Sequence, residues 1–353
     1  MIAMNTSQLP PLRIGILSTA RIADEFCEGN LGNPRIRIAA VGSLSADTAR
    51  AFAKKHGITR SYASYEALLA DSQIDAVYIP LPNHLHAPWA IAAAKAGKHV
   101  LCEKPLAMTR AEAQAMFDAA QEADVMLLEG YPYWFQPHLR QVLDWVQGGS
   151  VGSVRSLSAH FSFPMVNRAN DIRARAETGG GATGDVGCYV VSLAQLVMGR
   201  MPRTVHAVPV WSHSDVAKRV DMSMAITMDY EDGAVVHLLC GMNQSYRRAA
   251  RICGDQGVIE TSFPNHTAGH RSVQNHTNDI HPTLWRGPML TEAAQATPQI
   301  TANGFYLEAQ KFADIVQTQD KSAIAQAKEV SLAVATVLDA VRQSANSGQR
   351  VEL

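Results

Sequence analysis

Short apolar runs alternate with stretches of helical periodicity over the first 130 residues. Leu12 to Leu17, Ile36 to Gly42, Ile74 to Ile79, Lys98 to Cys102 and Val125 to Glu129 are runs of strand length, dense in Ile, Leu and Val. Such runs predict strands buried on both faces. Between them, Ile22 to Glu28, Asp47 to His56, Pro88 to Ala96 and Arg110 to Ala123 predict helices, and Gly97 stops the third of these. Repeated strand–helix units of this size predict a parallel, doubly wound sheet.

The period changes after about residue 150. From Val154 to Phe163 the chain alternates, with Leu157, Ala159, Phe161 and Phe163 on one face and Ser156, Ser158, His160 and Ser162 on the other. Val220 to Tyr230 and Ala234 to Met242 flank Glu231-Asp232-Gly233, a hairpin turn. Arg248 to Cys253 and Val258 to Ser262 flank Gly254-Asp255-Gln256-Gly257. These segments predict antiparallel strands of one large open sheet. Its polar face must meet solvent or a second subunit. Residues 264–302, rich in His, Asn, Thr and Pro, read as a long excursion. Two helices, Phe305 to Thr318 and Ile324 to Ala345, close the chain. The fold class is α/β: an N-terminal doubly wound parallel sheet, then an α+β domain with a large, mainly antiparallel sheet. The division is placed between residues 1–131 and 132–353.

Composition narrows the classes. The chain has 353 residues, 47% hydrophobic and 18% charged, more than one core ordinarily holds. A net charge of −1 with no basic stripe argues against nucleic acid as a partner. No apolar stretch approaches a membrane span of ~18 residues. The polar start, Met1 to Pro10, lacks a signal-peptide pattern, and a cytoplasmic location is the expectation. Cys27, Cys102, Cys188, Cys240 and Cys253 are scattered, with no CxxC, and read as buried free thiols.

Candidate chemistry collects at strand ends. Gly15-Ile16-Leu17-Ser18-Thr19-Ala20 follows the first strand and opens a helix, as a dinucleotide-binding turn does, but Leu17 stands where the middle glycine belongs. Gly15 would allow the tight turn and Ala20 the close packing. Ser18, Thr19, Arg21 and Ile22 would meet the pyrophosphate at the helix N-terminus. The second strand ends at Ser43 with no acid for a ribose 2′-hydroxyl, which favours NADP, with NAD the second choice. Leu81, Asn83 and His86 lie in a proline-bounded turn expected to line the nicotinamide ribose or to cap the next helix. His84 and His86 lack a third ligand nearby, and no metal is expected. Finally, Glu103-Lys104-Pro105 follows the apolar run Val100-Leu101-Cys102. A lysine at a strand end, half withdrawn from water, can act as a proton donor. Alone, Lys104 reads equally as a surface residue in a turn.

Together, Gly15 to Ala20, Pro82-Asn83-His84…His86 and Gly97 to Pro105 resemble the Gfo/Idh/MocA oxidoreductases, over nearly the whole chain. The resemblance implies a Rossmann domain that binds the dinucleotide over residues 1–131 and a substrate-binding and oligomerisation domain over 132–353. It implies that Lys104 contacts nicotinamide and substrate and takes part in proton transfer, and that Glu103 helps to orient the site.

A second segment sharpens it. Asp171-Ile172-Arg173 precedes Gly179-Gly180-Gly181, then Asp185 and Tyr189, four residues apart and so on one helix face. Tyrosine there is similar to the branch of dimeric dihydrodiol dehydrogenases, NADP-linked xylose dehydrogenases and glucose–fructose oxidoreductase. In Glu129-Gly130-Tyr131-Pro132-Tyr133-Trp134-Phe135-Gln136-Pro137 the chain departs from relatives, with Trp134 in place of a basic residue. The expected reaction is hydride transfer between a nicotinamide and a carbinol carbon of a sugar, polyol or cyclic diol. Tyr189 would be the base, its phenol pKa of about 10 lowered by Lys104. Asp185 would bond a substrate hydroxyl or orient Lys104. Tyr133 and Arg173 would contact the sugar. A cofactor-binding regulator with little turnover, or a lyase or hydrolase using NAD transiently, are the other readings. A homodimer or higher homo-oligomer is expected, through the polar sheet face.

Overall fold

A computed structural model of the chain describes residues 9–166, 171–262, 282–287, 289–295 and 303–353. They form two compact units. The first runs to Ala107 and adds Ala111–Pro132 and the described part of Ala302–Ser331. The second takes in Met108–Arg110, the described part of Tyr133–Thr301, and Leu332–Leu353.

The first unit is built on six parallel strands: β1 (Leu12–Leu17), β2 (Ile36–Gly42), β3 (Arg60–Tyr62), β4 (Ala76–Ile79), β5 (His99–Glu103) and β6 (Leu127–Gly130). Their order, β3-β2-β1-β4-β5-β6, is the doubly wound arrangement, which reverses between β1 and β4. The apolar runs behave as expected: every residue of β4 and β6, and all of β5 but His99, is buried. The helices α1 (Arg21–Gly29), α2 (Ala46–His56), α3 (Tyr65–Leu69), α4 (His86–Lys95) and α5 (Arg110–Glu122) follow their strands. Both β3 and α3 escape the apolar pattern, because β3 is three half-buried residues, Arg60-Ser61-Tyr62. Gly15 lies inside β1, not in the turn after it. A Cβ there would stand 2.7 Å from the Leu68 side chain of α3, so the missing side chain seats that helix.

The second unit carries α6 (Pro137–Gln147), β7 (Val154–Pro164), α7 (Cys188–Met198), β8 (Thr204–Trp211), β9 (Asp221–Asp229), β10 (Val235–Gly241), β11 (Asn243–Gly254), β12 (Gly257–Thr261), β13 (Thr283–Arg286) and β14 (Glu292–Gln295). α8 (Gly304–Thr318) belongs to the first unit. α9 (Lys321–Ser347) and the short β15 (Val351–Glu352) end the chain. The nine strands form one sheet, β14-β13-β12-β11-β7-β10-β9-β8-β15. Its pairs are antiparallel except β7 with β10, so the sheet is mixed at its centre. The turn Glu231-Asp232-Gly233 joins β9 to β10 as expected, with Gly233 at φ 82°. Two further departures concern the edges. The excursion expected over 264–302 holds β13 and β14 in its described part, while 263–281, 288 and 296–302 lie outside the described residues. The closing helices are followed by β15, which pairs with β8.

In β7 the alternation holds for Leu157, Ala159 and Phe161, all buried, against Ser156 and His160, half-buried, and Ser158, exposed. It fails at the end of the strand, where Ser162 is buried and Phe163 half-buried. The register against β11 slips between Asn243 and Arg247, and the Ser162 hydroxyl donates to the Ser245 carbonyl at 2.7 Å in that irregularity. Among the described residues no helix is long and apolar enough to cross a membrane.

Candidate active site

In the first unit the chemistry stands at the C-terminal ends of β1, β2, β4 and β5, where doubly wound sheets bind ligands. Ser18 leaves β1 at φ 136°, a backbone conformation that favours glycine. Two bonds hold it there: its N–H donates to the Gly42 carbonyl at 3.0 Å, and its Oγ accepts from the Ala20 N–H at 3.0 Å. The glycine-like conformation of the turn therefore falls on Ser18, one residue beyond Leu17, and Leu17 is simply the buried last residue of β1. α1 then starts at Arg21, the positive end of the helix, with no side-chain cap. That end suits a pyrophosphate at the N–H groups of Thr19, Arg21 and Ile22, while the Ala20 N–H is engaged by Ser18. Arg21 itself is exposed, 3.6 Å from Glu25.

The end of β2 fits a nicotinamide dinucleotide without selecting for the 2′-hydroxyl form. Ser43 is buried, and its Oγ accepts from the Ser45 N–H at 3.4 Å. In α2, Arg50 pairs with Asp47, and Lys55 pairs with Asp24 of α1 at 2.7 Å. After β4 the chain makes a tight turn over Asn83–Leu85 and enters α4 at His86. Leu81 is buried, Asn83 half-buried and His84 exposed. Among the described residues no group of three or more His, Cys, Asp or Glu side chains could share a metal ion.

His86 does not lie where the sequence put it. The ring is 1% exposed, with Nδ1 2.8 Å from the Pro105 carbonyl and Nε2 2.8 Å from the Leu81 carbonyl. Both nitrogens are spent on backbone oxygens, so the side chain is a strut beneath the turn, not part of the ribose surface.

β5 delivers Glu103 buried and Lys104 half-buried, with the Lys104–Pro105 peptide cis. A Glu103 carboxylate oxygen accepts from the Tyr78 hydroxyl at 2.7 Å, and the Tyr78 ring stacks on Phe26 at 4.0 Å. Glu103 is thus fixed from inside the sheet. Two more carboxyls lie under the same strand end. Glu129 of β6 accepts from the Leu106 N–H at 2.8 Å, and burial pushes its pKa up to about 7. Glu308 of α8 is fully buried, and burial, with the charge of Glu103 next, pushes it well above the carboxylate range. Glu308 did not stand out in the sequence, because a lone glutamate in an apolar helix carries no spacing signal.

In the second unit Asp171 starts a short helical turn, and its carboxylate accepts from the Arg173 N–H at 2.9 Å. Arg173 Nε donates to Asp185 at 2.8 Å and Nη1 to Asp171 at 3.3 Å. The charge of Asp185 raises the guanidinium pKa further, so Arg173 stays cationic. Asp185 and Arg173, expected as separate contacts, form one ion pair. Asp185 belongs to a π-helical turn, Thr183–Gly187, that runs straight into α7. The wider turn replaces the single helix face expected for Asp185 and Tyr189. It is anchored by Asp221, which accepts from both the N–H and the hydroxyl of Thr183 at 2.7 Å. Gly181, at φ 114°, leaves the room: a Cβ there would stand 2.2 Å from Asp221. Burial lifts the Asp221 pKa to about 6.

Tyr189 is buried, its ring 5.2 Å from Phe161 and 5.5 Å from Tyr133. Tyr133 is fully buried and corrects another expectation. Its hydroxyl bonds the Ser192 hydroxyl, and Ser192 donates to the Tyr189 carbonyl at 3.0 Å. Tyr133 braces the first turn of α7 and is not a substrate-facing surface. One residue that the sequence did not single out joins this cluster. Arg248 of β11 sets its guanidinium 5.7 Å from the Phe161 ring and 5.0 Å from that of Tyr246. Its Nη1 is buried without a hydrogen-bond partner, and burial lowers its pKa, opposed by Tyr246 and Tyr189.

Comparison with known proteins places the chain in a family of oxidoreductases. The model of an oxidoreductase family with an NAD-binding Rossmann fold matches residues 12–131, and that of the GFO/IDH/MocA C-terminal domain matches residues 139–260. The chain is 34% identical to D-xylose 1-dehydrogenase (NADP(+)) 2 of Haloferax volcanii, over 97% of this chain and 100% of that one. It is 35% identical to dTDP-3,4-didehydro-2,6-dideoxy-alpha-D-glucose 3-reductase of Streptomyces violaceoruber, over 98% and 99%. Among solved structures it is similar to a 3-ketoreductase from Actinomadura kijaniata in complex with NADP and TDP-benzene. That match has a TM-score of 0.81 and 30% identity, over 95% of this chain and 98% of that one.

Proposed function

The chain belongs to the Gfo/Idh/MocA oxidoreductases, and we propose from this that it moves hydride between NADP and a carbinol carbon of a sugar, polyol or related cyclic diol. The observation that carries the cofactor is the end of β2, where Ser43 offers no carboxylate against a 2′-phosphate, beside the uncapped start of α1. When bound, the nicotinamide supplies or takes up the hydride.

The remaining work falls to the chain. Lys104 would donate to the reacting oxygen and favour the negative charge that builds there. Tyr189 would be the acid or base for the hydroxyl proton: the phenolate takes it during oxidation, and the phenol returns it during reduction. The Asp185–Arg173 pair presents one acceptor and one donor set for neighbouring hydroxyls, as a sugar needs and a simple alcohol does not. The relatives named above act on a free aldose and on a nucleotide-linked keto sugar. A panel of aldoses, polyols and keto sugars with NADP(H) and NAD(H), followed at 340 nm, tests the reading. Turnover confined to simple alcohols, or none with either cofactor, would overturn it.

The polar face of the nine-stranded sheet supports a homo-oligomer, most simply a dimer. Ser158, His160, His206, His237, Arg247 and Arg251 border a concavity of about 880 Å³ there. A second copy laid on that face would cover it. Light scattering that returns a monomer at micromolar concentration would refute this.

A further inference from the structure

We infer that His86 is a positioning residue for Lys104: its ring ties the turn after β4 to the turn after β5 by donating from both nitrogens at once. This rests on the catalytic role proposed above for Lys104. Pro105 is the residue after Lys104, and its carbonyl is held 2.8 Å from Nδ1; on the other side, Nε2 lies 2.8 Å from the Leu81 carbonyl. A carbonyl oxygen can only accept. A neutral imidazole has one donor and one acceptor, so it would satisfy one carbonyl and set a lone pair against the other. Two such contacts at 2.8 Å are complete only for a ring with hydrogen on both nitrogens.

The ring is out of water, so neither contact can be exchanged for solvent without moving the chain. Charge works against the doubly protonated form. Burial acts first, and the charged groups facing the ring, Lys104 on the turn it holds and His84 one turn before α4, act with it. The two carbonyls act the other way. The strut is therefore complete at low pH and loses one of its ties as the pH rises through the ring's own pKa, below the ordinary histidine value. Its loss frees the turn that aims Lys104, and displacement of about 1 Å at a reacting group can cost 10²-fold in rate.

The test begins with the full chain and needs no turnover. Proton–nitrogen correlation spectra of histidine-labelled protein, with His86 assigned through His86→Gln, are followed from about pH 5 to pH 8. The expected result is two ring N–H groups at the low end, with the Lys104 and Leu106 backbone amides shifting at the same midpoint as the ring. A ring that is a neutral tautomer throughout, or that titrates without moving those amides, overturns the inference. The second arm is kinetic. His86→Gln should lower kcat about tenfold or more while the KM for NADP holds. Combined with Lys104→Ala, it should add nothing to the loss from Lys104→Ala alone, because it acts through that lysine. Additive losses would make His86 a general structural residue. The spectra stand or fall without any substrate, so a wrong sugar reading and a wrong strut are told apart.

Discussion

In the six-stranded sheet every residue of β4 is buried, whereas in β7 of the nine-stranded sheet Leu157, Ala159 and Phe161 are buried while Ser158 lies in solvent. The difference decides where chemistry can stand. A parallel sheet covered on both faces offers only its strand ends, and there the first unit gathers Ser18, Ser43, Glu103 and Lys104. The mixed sheet has a free choice of faces. It packs Phe161 and Arg248 toward Tyr189 on one and leaves Ser158, His160 and His237 on the other. The first design aims a residue by the turn that follows a strand. The second aims it by a helix, α7, lodged on the sheet.

If the strand end is where the reacting oxygen is handled, Lys104→Ala should cost most. A loss of about 10²–10⁴ in kcat is expected, the usual worth of a positioned acid or base, with an unchanged melting temperature. Near-normal turnover would remove Lys104 from the mechanism and leave the first sheet only a cofactor role. Tyr189→Phe tests the other design. It should cost about 10² in kcat and abolish the basic limb of the pH–rate profile, with little change in NADP affinity. A basic limb that survives would assign that proton to another group.

How far these roles could be read in advance follows the same contrast. The strands of the first sheet other than β3 were legible because dense apolar runs of that length are best buried as strands, and Lys104 could be singled out because Pro105 follows such a run. The contacts of His86 could not be read in the same way. His86 looks like a ligand or a loop residue until its two carbonyl partners are known, and those partners are backbone atoms that leave no trace in residue type. Asp221 is equally silent, since it anchors Thr183 from 38 residues away. Tyr133 misled for a simpler reason: an aromatic beside a site can line it or brace it, and here its hydroxyl is spent on Ser192 of α7. In the second sheet, alternation revealed the faces but not the order of strands, so the parallel pairing of β7 with β10 could not be foreseen.

A stability measurement probes the interior of the first sheet. Glu129 has its pKa raised from 4.5 to about 7 by burial, so the folded state holds its proton more tightly than the unfolded chain. A raised carboxyl pKa stabilises the fold at low pH and loses that contribution as pH rises from about 4.5 through about 7. Over that window the shift corresponds to about 3 kcal/mol. Glu129→Gln keeps an oxygen for the Leu106 N–H but has no proton to lose. Its denaturation midpoint should therefore fall less steeply than the wild type between pH 5 and pH 8. Parallel curves would mean that Glu129 titrates normally.

The smallest effect concerns the cofactor. NADP should bind more tightly than NAD by about ten-fold, or about 1.4 kcal/mol. The reason lies at the end of β2, where Gly42-Ser43-Leu44 carries no carboxylate to pair the ribose hydroxyls or to repel a phosphate. The preference should be modest, because no arginine follows Ser43, and Arg50 and Lys55 of α2 are paired with Asp47 and Asp24. Ser43 itself accepts from the Ser45 N–H, which leaves its own hydrogen available to a phosphate oxygen. Ser43→Asp should reverse the order through like-charge repulsion, without disturbing Lys104 or Tyr189. Titrating both cofactors against the wild type and this variant decides the point. Tighter NAD binding by the wild type would show that some other group reads the ribose, and that the strand end, unlike the one at Lys104, is not where selection is made.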